Sequence, residues 1–262
     1  MRLVMQLTPR VAATLLAATV AAGTGNAQET EQPPRAERHP RILLIGDSSL
    51  SNHLDRAAAA LKDEATVVRS PLGHVTTGAA LERLDEILQR ESWDLICFHF
   101  GLSDLMFRDP RSEQVRAMSP AVGGVPATAP EDYSENLGLV VERLRATGDA
   151  KLLWITSVPL HPSRRSAAIE EARIGQYDAR ARQVMEERAV PIFDAHAQVT
   201  ARLAENPDPR SLDRFHNQLY GQDLSGPLVE RIRGLLDQKP KDGAPPVRAA
   251  EAEPTTGSGQ NP

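Results

Sequence analysis

Cysteine is almost missing. Cys97 is the only one in 262 residues, so no intramolecular disulfide is possible and stability has to come from burial. Cys97 lies inside the apolar run DLICFHF and reads as a small core residue. Aromatic residues are scarce, 4% of the chain, too few for a broad platform on which sugar rings could stack. Basic charge is not in excess. The chain has 30 Lys and Arg against 35 Asp and Glu, a formal net charge of −5, and no basic stripe. Nucleic acid is therefore not an expected partner. The histidines His39, His53, His74, His99, His161 and His196 show no tight spacing such as His-x-x-x-His. Neither a metal site nor another cofactor is expected from them. Beyond the first 22 residues no apolar stretch is long enough to cross a bilayer, and no internal repeat is visible.

What the chain does contain divides it into segments. Residues 1–27 read as a secretory signal peptide. Arg2 and Arg10 give a positive start, Val11 to Ala22 a small-residue apolar core, and Gly25-Asn26-Ala27 a cleavage site after Ala27. The apolar core is about half the length of a membrane span. The mature chain is thus expected to be secreted or periplasmic, with no stable membrane insertion. Residues 28–39 read as a disordered linker. Residues 239–262, rich in Pro, Gly, Ala and charge, read as a disordered tail that buries too little to offset its ordering entropy. Residues 40–238 remain as one domain, large enough for a substantial core.

Five short runs in that domain are almost continuously apolar: RILLIGD (41–47), ATVVRSP (65–71), DLICFHFG (94–101), KLLWITSVPL (151–160) and VPIFDAHA (190–197). Strands buried on both faces have this composition, whereas half-exposed strands alternate. Helical periodicity lies between them. Leu81, Leu84, Ile87 and Leu88 share one face, and so do Leu137, Val140, Val141 and Leu144, in a segment that closes on Gly148. A long charged helix is expected over 166–188 and a last one over 221–237. Strand alternating with helix predicts a three-layer α/β/α sandwich around a five-stranded parallel, flavodoxin-like doubly wound sheet. Residues 105–130 carry no strong signal of either kind and read as a long functional loop.

In such a sheet ligands bind beyond the carboxyl ends of the strands. The first run ends there in Gly46-Asp47-Ser48-Ser49, and the second leads into Gly73, His74 and Gly78. The third ends in Gly101-Leu102-Ser103-Asp104, the fourth leads to His161 and Ser163, and the approach to the last helix contains Asp213-Arg214-Phe215-His216. Each admits an ordinary reading. Asp47, Ser48 and Asp104 could be helix caps, Gly73 a turn glycine, and Asp213 and His216 a solvated acid and a half-buried imidazole. Each also admits a chemical one. A serine at a helix terminus has free N–H groups beside it to hold an oxyanion. An acid three residues before a histidine can hold its tautomer and aim its other nitrogen outward.

The order and placement of these pieces resemble the SGNH, or GDSL, hydrolase superfamily, over most of residues 41–236. The pairing of Gly46-Asp47-Ser48 with Asp213-x-x-His216 is the most specific part, and WDLICFHFGLSDL resembles the third-strand region of secreted bacterial members. The resemblance implies a carboxylic ester hydrolase without a cofactor. Ser48 would be the nucleophile, His216 the general base and Asp213 its orienting acid. The oxyanion donors would be the N–H groups of Ser48 and Gly73, with Gly78 as the alternative glycine, and the side chain of residue 103. That third donor is usually an asparagine, and here it is Ser103. Either the hydroxyl substitutes, or His99 or His74 reaches in, or the protein is weakly active or a non-catalytic binding protein. Transfer of an acyl group to an envelope sugar also stays open. Ser48 is expected at a helix cap, with Ser49 and Ser51 at the helix start. Family habit points to a small-molecule or carbohydrate ester, a short acyl or O-acetyl group, as substrate. Oligomeric state is not legible.

Overall fold

The computed structural model describes residues 38–46, 50–70, 72, 75–88, 91–112, 116–159, 168–205 and 224–238. The expected signal peptide and C-terminal tail lie outside these residues. Arg38, assigned above to the linker, is ion-paired with Asp94 at 2.8 Å. The same Asp94 oxygen accepts the Arg41 N–H at 2.7 Å.

Strands β1 (Arg41–Ile45), β2 (Thr66–Arg69), β3 (Leu95–Phe98), β6 (Lys151–Ile155) and β7 (Ile192–Phe193) form one sheet in the order β2-β1-β3-β6-β7. Every pairing in it is parallel. The doubly wound sandwich expected from the sequence is the observed fold. Its physical reason lies in the alternation along each strand. Leu43, Ile45, Ile96, Phe98, Leu152 and Trp154 face one apolar cluster. Ile42, Leu44, Leu95, Cys97, Leu153 and Ile155 face the other. Both sides are buried, so both sides are apolar.

The first face is covered by α2 (Thr77–Leu88), α4 (Pro130–Arg145) and α5 (Glu171–Glu187), the second by α1 (Ser51–Leu61), α6 (Ala195–Glu205) and α7 (Ser225–Asp237). Helix α4 follows its sequence signals closely. Pro130 opens it, Glu131 and Asp132 occupy its first turn, and Arg143 and Arg145 its last, a charge order that suits the helix dipole. Gly148, at φ 123°, follows its end. The Lys151 ammonium at the foot of β6 donates to the Leu235 carbonyl (2.6 Å) and to that of Gln238, satisfying free carbonyls at the end of α7.

Two expectations need correction. The run 190–197 is strand only over Ile192–Phe193. Asp194 ends it, because its carboxylate accepts the Ala197 N–H at 2.9 Å and caps α6. Residues 105–130 are not structureless either. Helix α3 (Leu102–Leu105) leads into β4 (Phe107–Arg108), which pairs antiparallel with β5 (Val125–Pro126). The ribbon returns to its own base, where the Ala127 N–H meets the Met106 carbonyl (2.7 Å) and the Thr128 N–H meets that of Asp104 (3.1 Å).

His53 is a buried imidazole on α1, only 2% exposed. Burial, helped by the charge of Arg56, pushes its pKa down to about 4. Unfolded, it would titrate near 6.5. Between these values the unfolded chain binds a proton that the folded chain does not, so stability falls as pH is lowered through that window. The full loss is about 3 kcal/mol. Urea midpoints at pH 7 and pH 4.5 should differ less in His53→Asn than in the wild type. Equal differences would refute the assignment.

Candidate active site

A chain that winds from β1 to β2 on one side and then crosses back to β3 leaves a crevice between β1 and β3 at their carboxyl ends. Here the loop stubs stand side by side. Beyond β2, the Ser70 N–H donates to the Leu44 carbonyl (2.9 Å), and beyond β3 the His99 N–H donates to that of Ile45 (3.0 Å). Gly46 ends β1 against the start of α1, where a Cβ would come to 2.8 Å from the Leu54 side chain. Because Leu54 is fully buried in the core, only glycine fits without repacking.

Ser48, Gly73, Asp213 and His216 lie outside the described residues, as do His74 and His161. Their flanks are described. Leu50, two residues after Ser48, and Leu224, eight after His216, are buried in the same apolar cluster. The N-cap of α1 is Leu50, which makes no side-chain cap bond. The cap position expected at Ser48 therefore falls two residues later. The Leu50 side chain, 1% exposed, anchors this end of the helix in the core. Ser51 is the first residue of α1, at the helix start as expected.

Beyond β3 the backbone turns at Gly101, φ 149°, a conformation that side chains resist. A Cβ there would also meet the Tyr133 hydroxyl at 3.2 Å, and that hydroxyl is fixed by donating to the Phe100 carbonyl at 2.9 Å. Two residues on, Ser103 is 4% exposed. Its Oγ is buried and finds no hydrogen-bond partner among the described residues. A buried hydroxyl with an unused donor is costly in a fold and useful in a site.

Asp104 follows, fully buried. Rather than capping a surface turn, its Oδ1 accepts the Thr77 N–H (2.9 Å) and the Thr77 hydroxyl (2.7 Å). Burial raises its pKa, against the pull of the bonds from Thr77 and Thr128. Asn136 Nδ2 donates in turn to Thr77 Oγ1 at 3.2 Å. Thr77 and Asn136 were missed in the sequence because a Thr-Thr pair before a helix reads as a cap and Asn136 as a polar helix face.

Two of the open alternatives take structural positions. His99 is fully buried, with Nδ1 at 2.9 Å from the Ile155 carbonyl and its ring 5.7 Å from Trp154, so it is engaged with β6. Gly78 is the second residue of α2, where a Cβ would lie 3.7 Å from Asn136 Nδ2, a position of helix packing. Ser157, beyond β6, is a further hydroxyl near the turn, its Oγ 3.7 Å from where a Cβ on Gly101 would stand. Among the described residues no three His, Cys, Asp or Glu side chains converge as a metal site, and no helix is long and apolar enough to cross a membrane.

The model of the GDSL-like lipase/acylhydrolase family matches residues 44–224. No curated protein matches this chain. Among solved structures, a lipase/acylhydrolase from Enterococcus faecalis is similar at 20% identity and TM-score 0.56, over 74% of this chain and 96% of the other. An α/β hydrolase enzyme from the metagenome of Lake Arreo, Spain, is similar at 19% identity and TM-score 0.53, over 76% of this chain and 97% of the other. An acetylxylan esterase from Geobacillus stearothermophilus is similar at 14% identity and TM-score 0.52, over 76% and 95%. At these identities the likeness is one of fold.

Proposed function

Because the chain belongs to the GDSL-like lipase/acylhydrolase family and is an ester hydrolase, we propose that it cleaves a short acyl or O-acetyl ester through Ser48, His216 and Asp213. His216 takes the proton from Ser48 as its Oγ attacks the ester carbonyl, and Asp213 holds the imidazole. The tetrahedral oxyanion is held by the N–H groups of Ser48 and Gly73 and by the Ser103 hydroxyl. His216 then gives its proton to the leaving alcohol. Water, deprotonated by His216, attacks the acyl-serine, and His216 returns that proton to the Ser48 Oγ as the acyl–oxygen bond breaks and the acid leaves. No metal or organic cofactor enters the cycle. A carbohydrate acetyl ester is the favoured substrate, a reading supported by the fold shared with an acetylxylan esterase. The site of action is outside the cytoplasm, after cleavage behind Ala27.

The observation that carries this reading is the Ser103 hydroxyl: buried, without a partner among the described residues, and two residues past the Gly101 turn, beyond the carboxyl end of β3. A donor kept unsatisfied in the free protein is what an oxyanion, present only during reaction, requires. The direct test is covalent. A fluorophosphonate should label the full chain at Ser48, located by mass spectrometry of the peptide, and p-nitrophenyl acetate should be hydrolysed. Failure of both would end the proposal.

The departure from asparagine has its own expected result. Ser103→Ala should lower kcat by about 100-fold with KM changed by less than about 3-fold, since the donor acts on charge that appears only in the transition state. Ser103→Asn should retain more activity than Ser103→Ala. Steady-state kinetics on p-nitrophenyl acetate decide it, and an unchanged kcat in Ser103→Ala would remove the hydroxyl from the oxyanion site.

A further inference from the structure

We propose that the hydrogen-bonded chain Asp104–Thr77–Asn136 is a positioning device that holds the Ser103 hydroxyl in place for catalysis. The inference rests on Ser103 being an oxyanion donor and goes on to say what aims it. Helix α3, which carries Ser103, has four residues and no side-chain cap at Gly101, too short to be stable by itself. Its geometry is therefore set by what grips it. At one end the Tyr133 hydroxyl holds the Phe100 carbonyl. At the other, Asp104 is gripped twice. Its backbone carbonyl accepts the Thr128 N–H at 3.1 Å, and its carboxylate takes both donors of Thr77 at 2.9 and 2.7 Å.

Thr77 is the first residue of α2 and is fully buried. Its hydroxyl accepts from Asn136 at 3.2 Å and donates to Asp104, so the proton has one direction to point. Three elements, α2, α3 and α4, are locked together at the residue next to Ser103. The arrangement is an expensive way to hold a turn. Burying a carboxylate costs several kcal/mol before its partners compensate, and an apolar contact would hold the turn without that cost. What the network adds is direction. A hydroxyl with free rotation about its Cα–Cβ bond donates well only if its backbone is fixed within about 0.5 Å.

Thr77→Val, made in the full chain, removes the hydroxyl and keeps the shape. It should lower kcat on p-nitrophenyl acetate by about 10-fold with KM within about 2-fold, and Thr77→Ser should restore kcat to within about 2-fold. In a Ser103→Ala background Thr77→Val should have no further effect, because the group it positions is gone. An equal loss in both backgrounds, an unchanged kcat, or no rescue by serine would overturn the inference. If Ser103→Ala itself leaves kcat unchanged, the donor reading fails first, and the two failures are told apart by that single variant. Should Thr77→Val not fold, Asn136→Ala, at the half-buried end of the chain, should lower kcat by about 3-fold in the wild-type background alone. The same loss in the Ser103→Ala background, or none in the wild type, would count against the proposal.

Discussion

Ser48→Ala is expected to lower kcat/KM on p-nitrophenyl acetate by about 10⁴- to 10⁶-fold, and His216→Ala by a similar factor. The double variant should be hardly worse than either single one. Once no acyl-serine can form, the imidazole has no proton to take, and the remaining rate comes from binding and from the oxyanion donors alone. Asp213→Asn should cost somewhat less, about 10⁴-fold, by releasing the wrong imidazole tautomer. The rate should rise with pH through the titration of His216, since only the neutral ring accepts the serine proton. Full activity in Ser48→Ala, or additive losses in the double variant, would mean that another group attacks the ester.

The largest effect on stability is expected at Trp154. It is fully buried in β6, packed edge-on against Phe98 at 5.2 Å and against His99 at 5.7 Å. Trp154→Ala should cost about 3–5 kcal/mol, the transfer term of the ring plus the cavity it leaves in the middle of the first face. Trp154→Phe should cost much less than that. The indole N–H has no hydrogen-bond partner among the described residues, so phenylalanine gives up volume but also removes an unsatisfied donor. Urea unfolding followed by tryptophan fluorescence, with Trp93 as the remaining probe, measures both. A cost under about 1 kcal/mol for the alanine variant would mean that the first face closes over the gap.

The sheet was legible because a parallel strand buried on both sides cannot hide. Every residue from Ile42 to Ile45 and from Leu95 to Phe98 is buried, and the runs show it without reference to the rest of the chain. Boundaries were less legible where a side chain overrode the local pattern. Asp194 sits inside an apolar stretch that looks like strand to Ala197, and its capping bond turns the chain into α6. The 105–130 ribbon was hidden for another reason. Its strands have two residues each, and what holds them is a set of main-chain bonds to Met106, Asp104 and Ala168 that no side-chain pattern records. At the candidate site, Gly101 and Ser103 could be picked out from their position after a strand. The network around Asp104 could not, because Thr77 is 27 residues of chain from Asp104 and 59 from its other partner, Asn136.

Cys97 sits in the central strand, fully buried, and burial pushes its thiol pKa up. Maleimides and disulfide reagents need an exposed thiolate, so the folded molecule offers them nothing. A second cysteine introduced at a surface position would be the sole attachment point for a fluorophore or spin label, with no need to mutate the native one first.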